Sequence, residues 1–158
     1  MAFEGNEMIS CPAEMYDFGH TSVIVVSGAG INACGHMLLA VGSGASTIYM
    51  HVAGGSGSSG DGWAEQSGLR ATPKWMNQQG YRQYMAEAGK RELRRIAIRI
   101  PRPEGAMLKL EQLLAARWTW GVLPHNCTSF VEEIIQAGGN RGGLYLNCPA
   151  MASQSDFD

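Results

Sequence analysis

Thr21 to Val52 runs TSVIVVSGAGINACGHMLLAVGSGASTIYMHV, and the reading of this stretch decides the fold. Three short apolar runs, Thr21 to Ser27, His36 to Val41 and Thr47 to Val52, are separated by glycine turns. The pattern predicts three strands joined as an antiparallel meander. A turn centred between Ser43 and Gly44 pairs His36 with His51 across the second hairpin, on one face of the sheet and within reach of each other. A single polar histidine at a strand end is ordinarily satisfied by backbone, but two in register fit that role less well.

The same stretch contains a decoy. Val23 to Ala33, VIVVSGAGINA, fits a strand followed by GxGxxA, a variant of the dinucleotide fingerprint. That motif needs a helix opening at its second glycine and an acid about 20 positions on. Here residues 52 to 56 read VAGGS and the next apolar run is another strand, so the dinucleotide reading is set aside.

Beyond the meander, Ala53 to Gly62 (AGGSGSSGDG) has the composition of an exposed loop. Thr72 and Pro73 then supply an N-cap and a proline at the first helical position, predicting a helix to Ala88 that stops at Gly89. Arg95 to Ile100 (RIAIRI) alternates with period 2 and predicts a strand with one wet face. Met107, Leu110, Leu113 and Leu114 form the core stripe of a helix from Glu104 to Arg117. A last helix runs from Asn126 to Ala137, with Phe130, Val131, Ile134 and Ile135 on one side and Gly138-Gly139 as its stop. Leu144 to Leu146 is read as a short final strand.

At 158 residues the chain fits a single domain over 1–158, and 45% hydrophobic against 16% charged residues supplies a real core. Such a chain is expected to fold without metal or disulfide staples. Four cysteines, Cys11, Cys34, Cys127 and Cys148, form no CxxC pair; their even number permits disulfides without requiring any. The longest apolar runs are far short of the ~20 residues that span a bilayer. The first ten residues hold two acids, no Lys or Arg and no apolar run, so synthesis in the cytoplasm without a secretory signal is expected.

Charge is unevenly spread. Residues 70–117, a basic and mostly helical middle, hold eleven of the twelve Lys and Arg against four acids, a net +7 within a chain of net -2. That middle serves as a solvated helical face or as an attraction to an anionic polymer or surface. No aromatic-basic RNA-reading motif accompanies it, so no nucleic-acid partner is expected.

The strongest chemical signal is Asn126-Cys127-Thr128-Ser129-Phe130, where a cysteine meets the first turn of an amphipathic helix. Free N–H groups and the positive end of the helix dipole favour a thiolate there. A free cysteine is also often a small buried hydrophobe. The two strand-borne histidines favour the nucleophile, because a thiol needs a base and the base an orienting group. Cys34 is a rival thiol in a glycine turn, His125 a rival base, and His20 a surface or turn residue. A zinc site from Cys34, His36, His51 and Cys127 lacks the common ligand spacings. Trp63, Trp75, Trp118 and Trp120 serve a core or a cleft.

Residue by residue, GHMLLAVG followed by STIYMHVAG, then Asn126, Cys127 and Phe130 in the pattern N-C-x-x-F, resembles the permuted NlpC-like branch of the papain-like fold. That branch includes lecithin retinol acyltransferase relatives. The resemblance covers about residues 18–56 and 123–139, and the basic middle has no counterpart. It implies an α+β fold, an antiparallel sheet packed against helices with the nucleophile cysteine at a helix N-terminus. It also implies thiolate attack by Cys127 on an acyl carbonyl, with His36 as general base and His51 orienting it, and no cofactor or metal. The expected activity is hydrolysis of amide bonds in bacterial peptidoglycan peptide stems. An exported antibacterial effector of the type VI kind, acting in a target periplasm and matched by an immunity protein, fits that activity. The alternatives are a lipid-directed acyltransferase or phospholipase with the same Cys-His-His site, and a non-catalytic binding module.

Overall fold

The computed structural model describes residues 16–27, 34–52, 73–86, 89–115, 127–143 and 148–157. The elements are β1 (Thr21–Val26), β2 (His36–Val41), β3 (Ile48–Val52), β4 (Pro73–Met76), α1 (Gln78–Ala86), β5 (Glu92–Ile98), α2 (Pro103–Ala115) and α3 (Cys127–Ala137). Short 3-10 turns lie at Gly44–Ser46, Pro149–Met151 and Gln154–Phe157.

The fold is α+β, built on one five-stranded antiparallel sheet in the order β4-β3-β2-β1-β5. The meander is as expected, and β5 closes the far edge against β1. Direct antiparallel pairing of β1 with β2 is incompatible with the parallel crossover that a dinucleotide fold requires there. The glycines of the decoy, Gly28 and Gly30, lie outside the described residues, as do the 53–62 loop and the strand expected at Leu144 to Leu146.

The helix expected from Pro73 starts later. Pro73 to Met76 is the edge strand β4, paired with Val52 through Tyr49. The proline opens that strand at the sheet edge, a place where a missing N–H costs nothing. The helix begins only after Asn77, whose side chain accepts a hydrogen bond from the Gly80 N–H at 2.8 Å. The basic middle therefore supplies both edge strands of the sheet as well as α1 and α2.

The sheet is covered on both faces, which explains why β1 to β3 are buried along their length. One face carries Val23, Val25, Met37, Leu39, Met50 and Val52 against α2 and α3, with Phe130, Ile134 and Ile135 fully buried. The other carries Ile24, Val26, Leu38, Ala40 and Tyr49 against Tyr81, Tyr84 and Met85 of α1. Helices α2 and α3 cross closely at Gly105, where an added Cβ would run into the Ala137 carbonyl oxygen.

The expectation of folding without disulfide staples is overturned by a disulfide between Cys34 and Cys148, 114 residues apart. It fastens the C-terminal turn to the start of β2, and the Ala150 N–H donates to the Cys34 carbonyl at 2.8 Å beside it. Even with both sheet faces covered, the chain adds this long-range link.

Candidate active site

The site begins with the β2–β3 hairpin. Ser46 and Thr47 donate their hydroxyls to the carbonyls of Ser43 and Gly44, both at 2.8 Å, and so close the 3-10 turn. Gly42 enters that turn at φ 105°, where an added Cβ would sit 3.1 Å from the Ser46 carbonyl oxygen. The turn pairs Val41 with Ile48, Ala40 with Tyr49 and Leu39 with Met50. Its centre is thus one residue later than the symmetric turn expected from sequence. His51 falls opposite Leu38, and His36 stands two residues further along the same face.

A diagonal placement on one face still brings long side chains together. His36 Nε2 and His51 Nδ1 share a hydrogen bond of 2.7 Å, with the rings nearly perpendicular. His51 is fully buried and His36 is half-buried. The half-buried ring at the start of β2 is thus held by a fully buried partner.

Two residues that the sequence reading did not single out complete this face. The Tyr84 ring of α1 abuts His51 edge-on at 5.3 Å between centroids. The Lys90 ammonium sits 4.3 Å from the centre of the Tyr84 ring and donates to the Tyr84 carbonyl at 3.3 Å. The i, i+3 spacing of Tyr81 and Tyr84 was the available signal for this helix face. Beside them Tyr49 stacks flat on Tyr81 at 4.0 Å. Tyr81 donates its hydroxyl to Glu92, and burial followed by that bond pushes its phenol well above the ordinary value.

Cys127 is the first residue of α3, as the sequence required, and its side chain lies outside the described part of the structure. The C-terminal end of α3 is tied to the segment after β5, where the Arg102 N–H donates to the Gly138 carbonyl at 2.8 Å. The helix packs on β2 and β3, the strands that carry the two histidines. Side-chain alternation turns His36 and His51 to the α1 face, however, while the apolar residues of α3 fill the opposite face. The structure therefore brings the histidines together and does not display a thiol–imidazole contact.

The remaining candidates separate cleanly. Cys34 is committed to its disulfide and is neither a rival nucleophile nor a zinc ligand. His20 is an exposed turn residue bonded to Asp17 at 2.8 Å, and that bond lowers the Asp17 carboxyl below its ordinary value. Trp75 belongs to the core, while His125, Trp63, Trp118 and Trp120 lie outside the described residues. Among the described residues no three His, Cys, Asp or Glu side chains gather as a metal site, and no helix is long and apolar enough to cross a membrane.

Comparison with family models, with curated proteins and with solved structures gives no match, so the account of this site rests on the chain's own residues.

Proposed function

We propose that the chain is a cysteine hydrolase of the permuted NlpC-like, papain-like kind that cleaves amide bonds in peptidoglycan peptide stems. The observation that carries this reading is the 2.7 Å bond between His36 and His51. One imidazole nitrogen of His36 is occupied by a buried partner, which leaves Nδ1 to take a proton from a thiol. His51 acts as the positioning residue, fixing the ring and the tautomer of His36.

In the reaction, the Cys127 thiol gives its proton to His36 Nδ1 and the sulfur attacks the amide carbon. The tetrahedral oxyanion is met by the Cys127 backbone N–H at the start of α3. Collapse breaks the C–N bond, His36 returns the proton to the leaving amine, and water then hydrolyses the thioester with His36 again as base. Because the histidines face α1, this mechanism requires the Cys127 sulfur to reach His36 around the rim of the sheet, where β2 begins. His36 occupies the first position of that strand and is half-buried, in keeping with a base at the sheet's edge.

The Cys34–Cys148 disulfide supports action in an oxidising compartment such as a target periplasm, where disulfides persist. An immunity partner that guards the producing cell belongs to the same reading. The test is incubation of purified muropeptides and of anionic phospholipid vesicles with the protein and with Cys127→Ala, followed by mass spectrometry. Stem cleavage that disappears in the variant is the expected result. Fatty acid released in its place moves the same chemistry to lipid esters, and activity unchanged in Cys127→Ala overturns the cysteine mechanism.

A further inference from the structure

The basic middle has no part in the hydrolase reading, and its arginines do not disperse. Arg99 and Arg102, just beyond β5, meet Arg141, which follows α3 and comes from outside the basic middle. They line two contiguous hollows of about 440 and 410 Å³ that share Gly139, Asn140 and Arg141. We propose that these hollows form a binding site for a ligand bearing two or more phosphate or carboxylate groups, held by Arg99, Arg102 and Arg141.

Charge is the first argument. None of the three side chains has a hydrogen-bond or salt-bridge partner among the described residues, whereas Arg95, within β5, is paired with Glu92 at 2.8 Å. No Asp or Glu is among the described residues lining either hollow. A guanidinium offers a planar fork that matches an oxyanion, and three such forks without a counter-ion suit a polyanion better than a single charge.

Rigidity is the second. Asn140 is buried, and its amide group donates to the Arg99 carbonyl at 3.1 Å and to the Phe157 carbonyl at 3.0 Å. Its side-chain oxygen accepts the Gly142 N–H at 2.6 Å. One side chain thus locks the end of β5, the loop after α3 and the C-terminal turn, and fixes the backbone that carries Arg99 and Arg141. Gly139, at φ 95°, leaves room for Arg102, whose Nε would lie 3.4 Å from an added Cβ. Such a framework limits the ordering cost of binding.

Neutralising the carbonyl end of α3 is an ordinary use of a nearby cation. It accounts for Arg102 and Arg141 but leaves Arg99, which approaches from the sheet. The hollows also stand at the end of the sheet where Thr21 pairs with Ile98, while His36 pairs with Val26 at the other end. The site is therefore separate from the histidine pair by the length of a strand, about 20 Å, and its test is independent of the hydrolase reading.

The experiment titrates the full chain with inorganic tripolyphosphate and, separately, with citrate, by calorimetry and by amide chemical shifts. Saturable binding of either anion is expected, with shifts centred on residues 99–102 and 139–142, and the stronger of the two names the preferred group. Arg99→Gln/Arg141→Gln weakens that binding by at least about tenfold, as the loss of charge-assisted hydrogen bonds requires. Arg82→Gln, an exposed arginine on α1, leaves it within about twofold. Near-UV circular dichroism confirms that both variants keep the fold. Failure of both anions to saturate, or equal weakening by Arg82→Gln, overturns the site.

Discussion

His36 and His51 are hydrogen-bonded at 2.7 Å although they are not cross-strand partners: the register sets His51 opposite Leu38. The 3-10 turn at Gly44–Ser46 moves the hairpin centre by one residue, which changes each pairing by two and so keeps both histidines on one face, now on a diagonal. If this pair is base and positioning residue, the two have unequal effects. His36→Ala lowers kcat/KM on the order of 10²- to 10⁴-fold. His51→Ala costs less, and His51→Gln, which still hydrogen-bonds, recovers part of the loss. Steady-state kinetics on the stem peptide ranks the three variants; equal activity of His51→Ala and wild type removes His51 from the machinery.

The meander was legible because three β-branched runs with glycine turns leave few alternatives. The helices with strong apolar stripes were legible for the same reason: Leu110 and Leu113 in α2, and Phe130 to Ile135 in α3, lie where periodicity puts them. Pro73 to Met76 was not, because proline after threonine is as good a helix start as a strand start and only the partner strand decides. The register of His36 and His51 depended on a local turn closed by Ser46 and Thr47 hydroxyls, a choice the symmetric hairpin ignores. Nor could sequence pair Cys34 with Cys148, since that contact arises only when the C-terminal turn packs beside β2.

The disulfide makes its own prediction. A bridge across 114 residues greatly restricts the unfolded chain. Cys34→Ser/Cys148→Ser is expected to lose about 2–5 kcal/mol, read as a lower urea midpoint. Wild type in reductant follows the variant. A midpoint that does not move places Cys34–Cys148 among contacts without consequence for stability.

The crossing of α2 over α3 is equally exposed to test. Gly105→Ala drives a methyl group into the Ala137 carbonyl oxygen, and backbone cannot step aside as a side chain does. A loss of about 1–3 kcal/mol is expected, whereas Gly44→Ala, whose added Cβ meets nothing within 4 Å, suffers only the strain of its positive φ. Chemical denaturation separates them, and a larger loss at Gly44 than at Gly105 contradicts the close crossing.

Acid stability should report on Glu92. Its carboxylate takes hydrogen bonds from Arg95 at 2.8 and 3.2 Å and from Tyr81 at 2.7 Å. The Arg95 bonds, and then Tyr81, hold its carboxyl below the ordinary value. A folded value below the unfolded one means that this stabilisation is complete above the ordinary carboxylate range and is lost as pH falls through the folded value. The stability gap between wild type and Glu92→Gln therefore narrows on going from about pH 5 to about pH 3. Urea unfolding at stepped pH checks the sign; a gap that widens on acidification refutes it.

The central claim is that Cys127 is activated by His36, and alkylation measures it without any assumption about substrate. With Cys34 and Cys148 bound to each other, Cys11 is the internal reference thiol. Iodoacetamide labelling near neutral pH, followed peptide by peptide in wild type and His36→Ala, should show Cys127 reacting at least about tenfold faster than Cys11, an advantage that disappears in His36→Ala. If Cys127 labels no faster than Cys11, or labels equally fast with and without His36, the account is wrong.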